Sequence, residues 1–274
     1  MSLLTDTRPG AGTDLATRRR AEAWTALGQV MDPELDEPVT DLGFVRSLEV
    51  DGADLVVHLR LPTSFCSPNF AYLMTSDAKD ALRALPWSGQ VVVELDDHHD
   101  SDLINAGLAA DAGYRGTFRH EAEHDLDELR ATFRRKAHTA AVERCLAGVM
   151  RAEPGRPVES LVTVTLLDLP PGRTTDALLR RRVALGLTVD VDDIVMVDHE
   201  GVACTAADAP LRLRLARATR VSIDGNAHFC RGLLRTRYPG SGDDQVARAE
   251  GAAPGEPAFV PLSSLTLPRK EHLR

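Results

Sequence analysis

Residues 44–68, FVRSLEVDGADLVVHLRLPTSFCSP, decide the fold. Leu48 and Val50, then Leu55, Val57, Leu59 and Leu61, recur at every second position, the period of a strand with one buried face. Asp51-Gly52 between the two runs is a hairpin signal, because glycine and aspartate tolerate the backbone of a tight turn. Ser67-Pro68 then opens a helix, with the serine as N-cap and the proline at the first helical position. Its apolar face is Ala71, Met74, Ala78, Ala81, Leu82 and Leu85. Upstream, Ala21, Trp24, Leu27 and Met31 recur at helical spacing from about Arg18, and Pro33 closes that helix. Downstream, Gln90 to Leu95 (QVVVEL) reads as a third strand, followed by a polar loop, Asp96 to Asp102, and a short helix near Leu103 to Ala110. The order is α-β-β-α-β-α, a small α+β unit that ends near Phe118.

The rest of the chain extends this outward. With 274 residues, two domains are the natural expectation. Residues 1–17, polar with Pro9, Gly10 and Gly12, read as a flexible tail, and 18–118 as the first domain. A charged link, His120 to Asp127, feeds a long helix in which Leu126, Leu129, Phe133, Ala137, Ala140 and Val149 fall at steps of three or four. Pro154, Gly155 and Pro157 stop it. A second α/β pattern follows: strand Leu161 to Leu167, helix Thr175 to Leu185, strands around Ile194 to Val197, Leu211 to Leu215 and Val221 to Ile223, and a last helix from about Ala227 to Arg235. The second domain thus runs over 119–238, and the Gly- and Pro-rich stretch 239–274 reads as a mostly flexible tail. The fold class is α/β (α+β), a small N-terminal unit plus a second α/β domain.

Composition narrows the function. The net charge of −9 argues against a nucleic-acid partner, and 4% aromatic residues leave few stacking platforms for single strands. No run approaches the roughly 18 apolar residues of a membrane span. Met1 to Asp14 lacks the charged-then-apolar layout of a signal peptide, which points to the cytoplasm. Cys66, Cys145, Cys204 and Cys230 are far apart and form no CxxC pair, so thiols or ligands are expected in place of a disulfide framework.

Cys66 is the cysteine with a chemical context. It directly precedes the helix start, where free backbone N–H groups and the positive end of the helix dipole favour negative charge on sulfur. Thr63 lies in the same loop, and Asp32 and Glu34 flank Pro33 in another. A buried, inert cysteine beside a capping serine is the plain alternative. Three motifs in order, Asp32-Pro33-Glu34-Leu35, Asp41-Leu42-Gly43-Phe44-Val45 and Leu61-Pro62-Thr63-Ser64-Phe65-Cys66, resemble the metal–sulfur cluster biosynthesis (PaaD-like, iron–sulfur cluster assembly) family over roughly residues 18–118. The resemblance implies a small α/β fold that assembles or delivers iron–sulfur clusters, with Cys66 as the functional thiol and Asp32 and Thr63 nearby. The family usually follows its cysteine at once with proline; here Ser67 intervenes and moves the cap by one residue. Phe44 replaces a common leucine. Leu95 to Phe118 is also similar to members encoded beside binuclear-iron monooxygenases, which implies a di-iron client.

One cysteine cannot hold a cluster, for which four thiolates or a mixed set are usual. The expected cargo is therefore iron or an iron–sulfur cluster held transiently, either shared between two Cys66 residues of a homodimer or bound on the way to a client metalloprotein or scaffold protein. On this reading the chain is a non-catalytic assembly factor, a metallochaperone, whose second domain is expected to recognise the client or the partner scaffold. Two other readings stay open. His199, Cys204, His228 and Cys230 form a His/Cys quartet of types that suit zinc or iron, the basis of a metal-dependent enzyme in the C-terminal half. The third is an interaction adaptor in which Cys66 is structural. His120-Glu121-Ala122-Glu123-His124 fits HExxH, with Glu143 as nominal third ligand, but its charged flanks suit a solvated linker. His98-His99 reads as part of a solvated polar loop. Arg180-Arg181-Arg182 and the Arg212/Arg214 pair read as outward faces of a helix and a strand.

Overall fold

The computed structural model describes residues 11–118 and 126–246. The hairpin forms as the alternation predicts: β3 (Val45–Asp51) pairs antiparallel with β4 (Asp54–Arg60), Leu48 opposite Val57. The turn falls at Gly52, which takes φ +56°, where a side chain would be strained. A register shift between Val45 and Ser47 breaks the simple alternation and lets Val45 and Leu48 both reach the core, three positions apart. β5 (Val91–Asp96) lies parallel to β4, with Leu59 beside Leu95 and Arg60 beside Asp96. The crossover between them is α2 (Pro68–Arg83), whose Ala71, Met74, Ala78 and Leu82 are buried.

Before the sheet, α1 (Ala11–Leu27) begins earlier than its apolar periodicity suggests and ends before Pro33. Between α1 and β3 the chain makes a two-residue ribbon that the sequence does not announce, β1 (Met31–Asp32) against β2 (Glu37–Pro38). After β5, α3 (Ser101–Ala109) and α4 (Gly113–Phe118) complete the unit. Their close approach depends on Gly107. A Cβ there would fall 2.8 Å from Cβ of the buried Thr117.

The second half is helical. It comprises α5 (Leu126–Ala152), short 3-10 turns at Val158–Thr163 and Leu166–Asp168, α6 (Arg173–Ala184), α7 (Ala209–Arg237) and a final turn at Ser241–Asp244. The mixed α/β class therefore stands for the chain, while the strands expected after residue 160 reduce to isolated bridges, Thr165 with Ile194 and Val197 with Ala203. At the first, Thr165 and Asp168 close a capping box, with the Thr165 N–H donating to Asp168 Oδ2 at 2.8 Å, and the chain curls before a ladder can extend. Leu211 to Leu215 and Val221 to Ile223 lie inside α7. Their β-like alternation misleads because the buried stripe is Ala209, Ala216, Ile223, Ala227 and Leu234, at heptad and half-heptad steps, while Leu211, Leu215 and Val221 face solvent. Pro154 and Gly155, the latter at φ +102°, stop α5 as expected.

Two apolar cores result. One gathers α1, the sheet and α2 to α4, together with Leu126 of α5 and Ala227 and Leu234 of α7. The other gathers Ala141, Cys145, Leu146 and Val149 of α5 with Leu161, Val164, Leu178, Val195 and Ala209. The arginine triplet of α6 departs from the outward face expected of it. Arg181 and Arg182 are buried: Arg181 holds Asp36 at 2.7 Å, and Arg182 donates to the carbonyls of Thr188 and Ile194, both at 2.8 Å. No helix among the described residues is long and apolar enough to cross a membrane.

Gly107→Ala tests the α3–α4 contact. Overpacking costs about 1–3 kcal/mol, more than the ~1 kcal/mol of helix propensity gained. Thermal unfolding is expected to show a midpoint several degrees lower than that of the wild type.

Candidate functional site

The site begins with two loops that leave parallel strands on the same side of the sheet. β4 ends at Arg60 and β5 at Asp96, so residues 61–67 and 97–100 run beside each other. Leu61 and Pro62 are buried and anchor the first loop. Thr63 Oγ1 accepts the Phe65 N–H at 3.2 Å and stands 3.5 Å from Cys66 Sγ, leaving its hydroxyl proton available to the sulfur. Phe65 is 81% exposed, its ring 6.0 Å from that of His99.

Ser67 is the N-cap of α2 by position, with Pro68 in its first turn, but its hydroxyl makes no capping bond. The Ser67 carbonyl accepts the N–H groups of Phe70 and Ala71. The carbonyl of Cys66, one residue outside the helix, is taken instead by His98. That side chain is buried, at 6% exposure, and its Nε2 donates to Cys66 O at 2.9 Å while its Nδ1 accepts the Asp100 N–H at 3.1 Å. The amide bond to Nδ1 fixes the ring tautomer. The His99 N–H adds a bond to Ser64 O at 2.9 Å. His98 is therefore a structural clamp on the cysteine loop and departs from the solvated reading, which holds for the exposed His99. Only the parallel strand pairing brings His98 to Cys66, and no local pattern signals it.

Asp32 sits at the β1–β2 ribbon. Its Oδ1 accepts the N–H groups of Glu34 and Leu35, both at 2.9 Å, the side-chain turn that Asp-Pro favours. It is 6% exposed. Burial pushes its pKa up to about 7, and the carboxylates of Glu34 and Glu37 add to the rise, against the two amides that lower it. Glu34 Oε1 accepts from Asn226 Nδ2 on α7 at 3.1 Å.

The His/Cys quartet is not gathered. Cys204 is half-buried against the second core, with its Sγ 3.4 Å from Thr205 O, and His199 is exposed in the preceding loop. His228 is exposed on α7. Cys230 packs against the first core. Among the described residues, no group of three or more His, Cys, Asp or Glu side chains stands ready to hold a metal ion. Burial foremost, with smaller contributions from the acidic side chains of Asp32 and Glu34 and from the Cys66 thiol, pushes the Cys230 thiol up to about 12. His120, Glu121 and His124 lie outside the described residues. Glu143, their nominal partner, is buried and accepts from Arg220 Nε at 2.5 Å, an ion pair between α5 and α7.

With this geometry in view, comparison with known proteins agrees with the motifs. Residues 20–95, from α1 to the end of β5, match the family described as iron-sulfur cluster assembly protein, the family that the motifs resemble. Over 72 residues the chain is 36% identical to the iron-sulfur cluster carrier proteins of Mycobacterium bovis and of two strains of Mycobacterium tuberculosis. That stretch is 26% of this chain and 19% of each relative, so the match spans about a fifth of the curated relatives' length. Among solved structures, a domain of unknown function, DUF59, from Bacillus anthracis is 19% identical; the likeness covers 35% of this chain and 97% of that one, at a TM-score of 0.29.

Two measurements test the site's architecture. The folded chain binds the Asp32 proton more tightly than the unfolded chain, where the group titrates near its ordinary 3.8. Its contribution is therefore complete below about pH 4 and is withdrawn as pH rises to about 7. Asp32→Asn keeps the acceptor for both amides without the buried charge. The variant should be more stable than wild type at pH 8, by up to about 4 kcal/mol, with the gap closing toward pH 4 in denaturant titrations. His98→Ala strands the Cys66 carbonyl and the Asp100 amide. It should cost about 1–3 kcal/mol and speed alkylation of Cys66 by iodoacetamide.

Proposed function

We propose that the chain is an iron–sulfur assembly or delivery factor in which Cys66 takes iron or an iron–sulfur unit as cargo and passes it to a client metalloprotein. The observation that carries this reading is the half-exposed Cys66 two residues before α2, with Thr63 beside its sulfur and His98 on its carbonyl, inside the segment that matches the assembly family. The name of the mycobacterial relatives, iron-sulfur cluster carrier protein, supports the same cargo. A thiolate is a soft ligand suited to iron and to clusters. A single thiol in a partly open loop binds such a unit incompletely, which suits transfer better than storage. Thr63 supplies a hydroxyl that can stabilise negative charge on the sulfur, and His98 keeps the loop from swinging away. In this reading the β1–β2 ribbon contributes the two acidic residues of the motif, Asp32 and Glu34.

The client that this reading favours is a binuclear-iron monooxygenase, from the similarity of Leu95 to Phe118 to members encoded beside such enzymes. The helical second half would present the loaded loop to that client or to a scaffold protein, and the setting would be the cytoplasm. Anaerobic purification with iron and sulfide analysis tests the cargo. Wild-type chain should carry both, Cys66→Ala should lose most of both, and client activity in cells should fall by about tenfold or more. Iron, sulfide and client activity all unchanged in Cys66→Ala would end this reading.

A further inference from the structure

The cargo reading leaves Cys66 short of ligands. We infer that Cys230, on α7, is the second protein thiol for the unit that Cys66 takes, so that each chain offers a two-cysteine site closed by its own C-terminal helix. This rests on the cargo reading of Cys66 and adds a ligand to it.

The four cysteines divide between the two cores. Cys145 and Cys204 belong to the second, while Cys66 and Cys230 are both half-buried against the first. α7 brings Cys230 there through contacts on either side of it. One turn earlier, Asn226 Nδ2 donates to Glu34 Oε1 at 3.1 Å. The next residue, Arg231, donates to the carboxylate of Glu37 and, at 3.0 Å, to the carbonyl of Asp41. Farther along, Arg237 donates to the carbonyl of Leu61 at 3.2 Å, at the root of the cysteine loop, and Tyr238 Oη donates to Asp97 Oδ2 at 3.1 Å. Cys230 thus lies on a helix that is bonded at one end to the acidic ribbon and at the other to both loops that hold Cys66. Ala227 and Leu234, three residues before and four after, are buried in the same core, which turns Cys230 to the inner face.

A metal that bound Cys66 would meet a second soft donor from α7. Each thiol would release its proton to water as its sulfur–metal bond formed. Two thiolates still fall short of the four that hold a cluster, so the remaining positions stay open to the client's ligands.

The test uses the full apo chain under anaerobic conditions, with cobalt(II) as probe and its sulfur-to-cobalt charge-transfer absorbance as readout. Cys66→Ser and Cys230→Ser should each weaken cobalt binding by about tenfold or more. The double variant should be no weaker than the weaker single, because either loss already breaks the pair. Cobalt binding unchanged in Cys230→Ser, or additive effects of the two substitutions, would overturn the inference while leaving the role of Cys66 standing. If Cys66→Ser also binds as wild type does, the cargo reading falls with it. A thiol-bridging reagent, dibromobimane, checks the same pair in unmutated protein. A Cys66–Cys230 linked peptide is expected, and failure to find one would overturn the pairing even if Cys230→Ser unfolds.

Discussion

The β1–β2 ribbon buries three carboxyl groups, those of Asp32, Asp36 and Glu37, within six residues. Burying a charge without a partner costs several kcal/mol, so a segment of this kind persists only if something answers each group. Asp36 and Glu37 are answered by arginines of the second half, Arg181 from α6 and Arg231 from α7. Asp32 is answered in another way: two backbone amides bind it, and its high pKa lets it hold a proton near neutrality. The placement of α6 and α7 against the first unit follows from this need.

What could be read from the sequence alone was whatever is decided by neighbours in the chain. The hairpin around Gly52, the start of α2 at Ser67-Pro68 and the end of α5 near Gly155 rest on turn and cap chemistry within a few residues. The parts that could not be read depend on partners far away. His98 looks like a loop histidine until β5 aligns parallel to β4. Leu211, Leu213 and Leu215 alternate like a strand, yet the surface that α7 buries is the stripe Ala209, Ala216, Ile223, Ala227 and Leu234. Arg181 looks solvated until the buried Asp36 meets it across 145 positions.

Motif order pointed to Cys66, Thr63, Asp32 and Glu34; the fold sets Thr63 Oγ1 3.5 Å from Cys66 Sγ and holds Asp32 and Glu34 on the separate β1–β2 ribbon. The His/Cys quartet was built on proximity in sequence, from Cys204 to Cys230. Helix α7 undoes that proximity, since its first turns pack on one core and its last turns on the other. The inserted Ser67 has a visible effect as well. It takes over the N-cap carbonyl, so the carbonyl of Cys66 is released from the helix and becomes the acceptor for His98.

Helix α7 carries one more implication. Ala209, at its start, belongs to the second core, whereas Ala227 and Leu234 belong to the first. A helix of 29 residues is a rod of about 43 Å. The unit that encloses Cys66 is therefore discontinuous along the chain: it needs residues 11–118 together with a helix that lies more than a hundred positions later. A fragment cut near residue 119 would contain all the recognisable motifs but would expose the apolar face that α7 covers.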